Sequence, residues 1–246
     1  MMSSVPAELD LLVQVSRNGS RESLALFFRL SFPTGLAMRT DAIPVSKGEP
    51  MISFQAVRIP GRWRDGYALD LHTVRSTFVG DDEYGHARFD TERSAAGELL
   101  YRLKYKSDPA AVDELVEAAA FFLRSWEPAV DILVPVPASR ARELQPVLAV
   151  GEGLAKELNL EFSPPCLRRI REMPQLKDVY QYDERWRLLS GLHEVDRAIV
   201  KGKAILLFDD LFRSGATMNA ITYGLYDQGG ASDVFALTIT RTRSHR

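Results

Sequence analysis

Ile205-Leu206-Leu207-Phe208-Asp209-Asp210-Leu211-Phe212-Arg213-Ser214-Gly215-Ala216-Thr217 is the stretch that decides the fold. An apolar run leads into two acids, and a short loop with hydroxyl side chains, a glycine and a cation follows. An uninterrupted apolar run of this kind, from Ala204 to Phe208, predicts a parallel strand that is covered on both faces. In open α/β sheets ligands bind at the carboxyl ends of the strands, so the residues after Phe208 are expected to form a site.

The sequence around this stretch alternates between helical and strand patterns. Three segments repeat apolar residues at spacings of three and four, which predicts helices with one buried face. Two further segments are short apolar runs, which predict buried strands. Strand–helix–strand units in series predict an α/β fold, a parallel sheet flanked by helices with right-handed crossovers. The predicted helices are 109–123, with Asp108 as N-cap, Pro146–Leu158 and Met218–Gln228, and the predicted strands are Asp131–Pro135 and Val234–Ile239.

The first part of the chain has a different texture. Short stretches with β-branched and aromatic residues are separated by turn formers such as Pro60-Gly61 and Gly80-Asp81-Asp82. This pattern predicts a small β-rich N-terminal subdomain of unassigned role at residues 1–90. The α/β domain is expected at residues 91–246.

Composition excludes several classes of protein. Of 246 residues, 46% are hydrophobic and 26% are charged, which is the balance of an ordinary globular protein. The net charge of -2 supplies no global field that would attract nucleic acid or an anionic membrane. Cys166 is the single cysteine, so an intrachain disulfide framework is excluded. No apolar run approaches the roughly 20 residues of a membrane span. Glu8 and Asp10 interrupt any signal-peptide pattern, and a cytoplasmic location is expected.

The loop after the two acids has the groups that bind a phosphate. Backbone N–H groups of Ser214–Thr217, at the start of a predicted helix, can converge on one phosphate, and Gly215 lets the chain approach closely. Asp209 and Asp210, just upstream, can accept hydrogen bonds from the hydroxyls of a sugar. A ribose 5-phosphate satisfies this order of groups. The alternative is a core strand that ends in an Asp-Asp turn without a ligand.

This stretch resembles the phosphoribosyl pyrophosphate (PRPP) signature of type I phosphoribosyltransferases. Every position suits that pattern except Arg213, where the family usually has a small residue or an aspartate. The resemblance implies that Asp209 and Asp210 are the catalytic acids and contact Mg²⁺, either directly or through water. It also implies that the loop binds the 5′-phosphate of PRPP, through Arg213, Ser214, Gly215, Ala216 and Thr217.

More of the chain is similar to the ComF-like branch of this family, over about residues 91–242. Leu103-Lys104-Tyr105 resembles an "LKY" element, and Val134-Pro135-Val136-Pro137 resembles a "PVP" loop. An arginine-rich middle segment follows at 167–185. The chain departs from the branch in two ways: one cysteine cannot form the N-terminal zinc module, and the usual Gly-Phe-Asn-Gln element is reduced to Leu144-Gln145.

The resemblance implies two further groups of site residues. Ala138, Ser139 and Arg140 correspond to the loop that binds pyrophosphate, although a surface arginine that caps a loop is the alternative. Lys177 and Arg185 correspond to a flap over the site that reaches the pyrophosphate. A solvated charged loop explains that segment equally well.

The expected function is binding of PRPP with Mg²⁺ as cofactor, and transfer of the 5-phosphoribosyl group to a nitrogen nucleophile with release of pyrophosphate. The expected partners are PRPP and that nucleophile, with a homodimer as one possible assembly and no membrane. Two alternatives stay open. One is a non-catalytic module that senses PRPP. The other is a ComF-like accessory factor in DNA uptake or processing, although the net charge of -2 weakens the case for nucleic-acid binding.

Overall fold

The computed structural model describes residues 52–138, 143–171, 189 and 191–243. Ten strands lie in these residues: β1 Val57–Arg58, β2 Asp65–Leu71, β3 Thr73–Asp81, β4 Ala87–Arg93, β5 Ile132–Pro135, β6 Glu161–Phe162, β7 Leu167–Arg169, β8 His193–Val195, β9 Ala204–Phe212 and β10 Asp233–Arg241. The same residues form five α-helices: α1 Ala95–Lys106, α2 Ala110–Trp126, α3 Pro146–Leu158, α4 Arg197–Val200 and α5 Ala216–Gly224. A 3₁₀ turn covers Pro164–Cys166, and a π-helical turn, Leu225–Gly229, extends α5.

Six of the strands form the central sheet, in the order β1-β2-β10-β9-β5-β6. Strands β2, β10, β9, β5 and β6 are parallel to one another, and β1 is antiparallel to β2. Strands β3 and β4 form a separate antiparallel hairpin, as do β7 and β8. The predicted parallel sheet flanked by helices is therefore confirmed.

Strand β9 is central and is covered on both faces, as its apolar run predicts. Leu206 and Phe208 pack into the cluster formed with α1, α2 and α3. Ile205 and Leu207 pack into the cluster on the other face, which includes Met218 of α5. Because side chains of a strand alternate between its faces, these two clusters continue from residue to residue along β9.

The sheet crosses the division that the sequence analysis sets at residue 90. Strand β2 pairs in parallel with β10, from Asp65 beside Phe235 to Leu71 beside Arg241. Residues 57–71 are therefore part of the main sheet and not of a separate unit. The local pattern indicates a strand correctly, but its partner lies near the other end of the chain and leaves no local signal. Residues 1–51 of the predicted subdomain lie outside the described residues.

The predicted helix boundaries differ from the structure where capping decides them. Helix α3 has the predicted bounds, whereas α2 begins one residue later, at Ala110, although Asp108 Oδ1 accepts the Ala110 N–H at 3.0 Å as an N-cap side chain does. Helix α5 begins at Ala216, before the predicted Met218, and its π-helical turn ends at Gly229, followed by the capping residue Gly230, whose φ is 69°. Among the described residues, no helix is both long and apolar enough to cross a membrane.

Helix α1 is fixed firmly to the end of β2. The Ser94 hydroxyl accepts the Gly97 N–H at 3.0 Å and donates to the Leu71 carbonyl at 2.5 Å, which caps the helix. A Cβ at Gly97 would lie 2.3 Å from the His72 carbonyl oxygen. The helix backbone therefore lies so close to the residue after β2 that no side chain fits at position 97. This junction sets the position of every later residue of α1.

We expect Gly97→Ala to destabilise the protein by about 1–3 kcal/mol, because the added methyl group overlaps a backbone atom that cannot move independently. Urea unfolding measures this change. Gly224→Ala is the matched control: its added Cβ would lie 3.4 Å from Val195 Cγ2, an ordinary contact. Better helix propensity should leave that variant unchanged or slightly more stable. Equal stability of the two variants would contradict the close junction.

Candidate ligand-binding site at the end of the central strand

The candidate site lies where β9 leaves the core. Asp209 and Asp210 are the first polar residues after the buried run and are only half-buried. The strand continues for two residues beyond them, to Phe212, so the acids lie near its end rather than at it. A loop of three residues, 213–215, then leads into α5 at Ala216. The carboxyl ends of β2 and β10 reach the same edge of the sheet.

Gly215 determines the shape of this loop. Its φ of 73° lies in the left-handed region that favours glycine. A Cβ at this position would lie 2.7 Å from the Phe212 ring. The Gly215 carbonyl accepts hydrogen bonds from both the backbone N–H and the side-chain amide of Asn219, at 2.8 and 2.9 Å. Asn219 in turn accepts the Arg62 N–H at 2.7 Å. The hydrogen bonds through Asn219 therefore fix the conformation of the loop.

The start of α5 offers donors to an anion. The first N–H groups of a helix have no partner within it, and the helix dipole favours negative charge there. Arg213 and Ser214 are exposed, Thr217 is half-buried, and Gly215 and Ala216 are buried. The structure thus brings together the five residues that the sequence assigns to phosphate binding. Their role in binding stays a prediction.

The two acids lie on opposite faces of the sheet. Asp210 follows Phe208 in the alternation and lies on the side of α1, where its Oδ2 is 2.9 Å from Lys104 Nζ. The side chains of this ion pair are only 20% and 13% exposed. Asp209 follows Leu207 on the side of α5, and its Oδ1 accepts the Asp210 N–H at 2.8 Å. One acid therefore has a fixed cationic partner, and the other accepts a backbone hydrogen bond.

Burial raises the pKa of Asp209 to about 8, and the negative charge of Asp210 acts in the same direction. The hydrogen bond from the Asp210 N–H and the charge of Lys104 lower this pKa but do not outweigh burial. Near neutral pH the Asp209 carboxyl therefore holds a proton until a ligand supplies partners for its charged form.

Two further residues lie beside the acid pair. His72 Nδ1 is 3.2 Å from the Thr240 hydroxyl, which donates to the Asp210 carbonyl at 3.4 Å. Burial lowers the pKa of His72, as do the positive charges of Lys104 and Arg93, so its ring is neutral near pH 7. Sequence reasoning missed both Lys104 and His72. The "LKY" element marked the lysine without giving it a role, and nothing local marked the histidine.

The residues predicted to bind pyrophosphate are described only in part. The loop after β5 starts at the same edge of the sheet, because the Val136 N–H donates to the Phe208 carbonyl at 2.8 Å. Ala138 follows in this loop and is exposed. Ser139 and Arg140 lie outside the described residues, and so do the predicted flap residues Lys177 and Arg185.

The donor set of the site fits magnesium that arrives with a phosphate ligand. Mg²⁺ prefers oxygen ligands and is commonly bound by one or two carboxylates together with substrate phosphates. Asp209 and Asp210 supply such carboxylates. Within the described ranges, no group of three or more histidine, cysteine or acidic side chains could hold a metal ion. The protein's contribution would therefore be one or two carboxylates, with ligand and water oxygens completing the shell.

Two other ionisable groups, the thiol of Cys166 and the ring of His193, are uncharged near neutral pH. Burial raises the pKa of the Cys166 thiol to about 12, so the thiol is protonated and packs as an apolar side chain. Burial lowers the pKa of His193 to about 4, which keeps that ring neutral.

No protein-family model matches the chain. The competence protein ComFC of Bacillus subtilis is 26% identical to it over 147 residues. This match covers 59% of the chain, and the chain spans 59% of the length of that curated relative. The similarity confirms the resemblance to the ComF-like branch that the motifs predict.

Solved phosphoribosyltransferase structures show a distant likeness. The adenine phosphoribosyltransferase of Trypanosoma brucei has a TM-score of 0.42 at 12% identity, covering 76% of this chain and 75% of that one. The glutamine PRPP amidotransferase of Bacillus subtilis has a TM-score of 0.41 at 17% identity, covering 64% and 34%. The adenine phosphoribosyltransferase of Saccharomyces cerevisiae has a TM-score of 0.39 at 16% identity, covering 66% and 83%.

The raised pKa of Asp209 predicts a dependence of stability on pH. Between the unfolded pKa of 3.8 and the folded pKa of about 8, the folded protein binds more protons than the unfolded chain. Stability should therefore fall as pH rises through that window. We expect Asp209→Asn to be more stable than the wild type by about 1–3 kcal/mol at about pH 8.5, after allowance for the partial exposure of Asp209, and no more stable at about pH 4.

Urea unfolding across this pH range measures the difference. Asp227→Asn, which changes an exposed acid in the π-helical turn, is the control and should run parallel to the wild type. A constant offset between Asp209→Asn and the wild type would show that Asp209 carries no buried charge.

Proposed function

We propose that the chain binds PRPP together with Mg²⁺ and transfers its 5-phosphoribosyl group to a nitrogen nucleophile. In this reaction the bond from C1′ of the ribose to pyrophosphate breaks, and its electron pair leaves with the pyrophosphate. A bond from C1′ to nitrogen forms, and the nucleophile loses a proton. One observation carries the proposal: two acids follow the buried part of strand β9 at the sheet edge, and the chain then turns at Gly215 directly into the start of α5.

The 5′-phosphate would lie over the loop before α5. The N–H groups at the helix start and the hydroxyls of Ser214 and Thr217 donate to its oxygens. Gly215 allows the left-handed turn and the close approach to the Phe212 ring by which the loop leads directly into the helix start. Arg213 is exposed beside the loop and adds a positive charge.

The ribose would lie over the acid pair, with Asp209 as its main partner. Hydroxyl groups that donate to the carboxylate favour its charged form, so a bound sugar lowers the pKa that burial has raised. As the bond to pyrophosphate breaks, positive charge develops on the ribose ring. A carboxylate that is already in position stabilises this charge without reorganisation, which is the larger part of catalysis in such a reaction.

Magnesium, when bound with PRPP, would neutralise charge on the pyrophosphate leaving group. Ala138, Ser139 and Arg140 would contact the same group from the loop after β5, with Lys177 and Arg185 reaching it from the flap. A guanidinium can form bidentate hydrogen bonds with pyrophosphate oxygens, which suits Arg140 to this role.

Arg213 bears on the choice of nucleophile. In relatives that salvage purines, a loop aspartate at this position assists the nitrogen of the base. An arginine stays protonated in proteins and cannot act as that base. We therefore propose that the nucleophile is not a 6-oxopurine and receives no help from this position.

Thr217→Val tests the phosphate loop, because it removes one hydroxyl with little change in shape. We expect PRPP and ribose 5-phosphate both to bind about tenfold more weakly, as the loss of one charge-assisted hydrogen bond predicts. Isothermal titration measures both affinities. Thr222→Val on the same helix is the control: its hydroxyl is buried and has no hydrogen-bond partner among the described residues, so binding should not change. Equal affinities of the two variants would place the phosphate elsewhere.

Asp209→Asn together with Asp210→Asn separates catalysis from binding. Hydrogen bonds to the ribose exist in the bound substrate, whereas attraction to the ring cation arises only in the transition state. We expect the transfer rate to fall about a hundredfold or more, which corresponds to roughly 2.7–4 kcal/mol, and PRPP affinity to fall less. Single-turnover rates with a panel of bases and amines measure the first, and titration measures the second.

If the wild type binds PRPP tightly but transfers the 5-phosphoribosyl group to no base or amine, and catalyses no pyrophosphate exchange, the protein is a PRPP-sensing module. A wild type that does not bind PRPP would remove the proposed function altogether.

A further inference from the structure

One ion pair connects helix α1 to the acid pair of the proposed PRPP site. Lys104 lies in the last turn of α1, and its Nζ is 2.9 Å from Asp210 Oδ2. Both side chains are largely removed from solvent, so bulk water screens their attraction less than it screens a surface pair. The start of the same helix is fixed by the Ser94 cap on β2, which limits how far Lys104 can move away from Asp210.

The neighbouring contacts fix Asp210 from the other side. Its carbonyl accepts a hydrogen bond from Thr240, and its N–H donates to Asp209. With both backbone groups held and the carboxylate paired to Lys104, Asp210 has one available position. Asp209, on the opposite face, is the acid that remains for a ligand to engage.

We propose that Lys104 is a positioning residue of the PRPP site, which holds Asp210 on the α1 face and compensates its charge, so that less Mg²⁺ is needed for the site to accept a polyanion. This inference rests on the proposed function. PRPP brings several negative charges to an edge that already holds the Asp210 carboxylate. A fixed ammonium group beside this carboxylate offsets its repulsion of the polyanion, which the metal must otherwise overcome.

The test compares Lys104→Met with Lys106→Met. Both variants remove one positive charge from the last turn of α1. Lys106 is exposed, and its Nζ lies 5.7 Å from the centre of the Tyr101 ring, so its removal is a control for net charge. Lys104→Arg keeps the charge and tests rescue. Isothermal titration with PRPP at low and at saturating Mg²⁺ gives the first readout, and EPR titration of the protein with Mn²⁺ alone gives the second.

We expect Lys104→Met to bind PRPP about tenfold more weakly than the wild type at low Mg²⁺, with most of the loss recovered at saturating Mg²⁺. The same variant should bind Mn²⁺ about tenfold more tightly, because the Asp210 carboxylate is no longer compensated. Lys106→Met should match the wild type in both titrations, and Lys104→Arg should recover most of the wild-type behaviour.

Lys104→Met alone leaves the Asp210 carboxylate without its partner and could fold poorly. The double variant Lys104→Met with Asp210→Asn removes both charges of the ion pair, so it is compared with Asp210→Asn alone. In that background Lys104→Met should no longer tighten Mn²⁺ binding, because there is no Asp210 carboxylate to release. The inference is overturned when Lys104→Met and Lys106→Met behave alike, or when Lys104→Met tightens Mn²⁺ binding equally with and without the Asp210 carboxylate. Failure of the wild type to bind PRPP would instead overturn the proposed function, and the Mn²⁺ titration would still decide the role of Lys104.

Discussion

Burial of β9 on both faces is the constraint on which the rest of the site depends. From Ile205 to Phe208 each side chain enters one of two apolar clusters. The first two residues beyond the clusters are acids, and the alternation of the strand sends them to opposite faces. Asp210 forms an ion pair with Lys104 on the face covered by α1, whereas Asp209 forms no ion pair with any residue that the structure describes. The unequal environments of two adjacent carboxyls thus follow from the packing of the strand beneath them.

The phosphate loop depends on a segment far away in the chain. Trp63 packs edge-on against Phe212, with 6.1 Å between ring centroids, and the Arg62 N–H donates to Asn219. Asn219 in turn holds the Gly215 carbonyl. The connection between β1 and β2 therefore supports the underside of the loop, while its upper side presents donors. Residues 59–64, which the sequence analysis assigns to the N-terminal subdomain, are therefore part of the structure that supports the loop.

Local sequence patterns were sufficient to predict the features that depend on neighbouring residues in the chain. The bounds of α3 and the buried run of β9 both follow from the spacing of apolar residues. Pairing between distant segments was not predictable in this way. The place of β2 beside β10 depends on contacts at both ends of the chain. The partner of Lys104 could be found only once α1 lay over the end of β9, although the "LKY" resemblance had marked that residue.

The two ends of the candidate site differ in the charge that they favour. At one end, Arg213 and the start of α5 favour an anion. At the other end, burial raises the pKa of Asp209, so the unliganded protein bears a cost whenever this carboxyl ionises. A ligand with a phosphate at one end, hydroxyl groups in the middle and an electron-deficient carbon satisfies both ends at once. A simple anion satisfies only the first. Under the proposed function, the cost of burying Asp209 is recovered when a bound ligand donates hydrogen bonds to the carboxylate or places positive charge beside it.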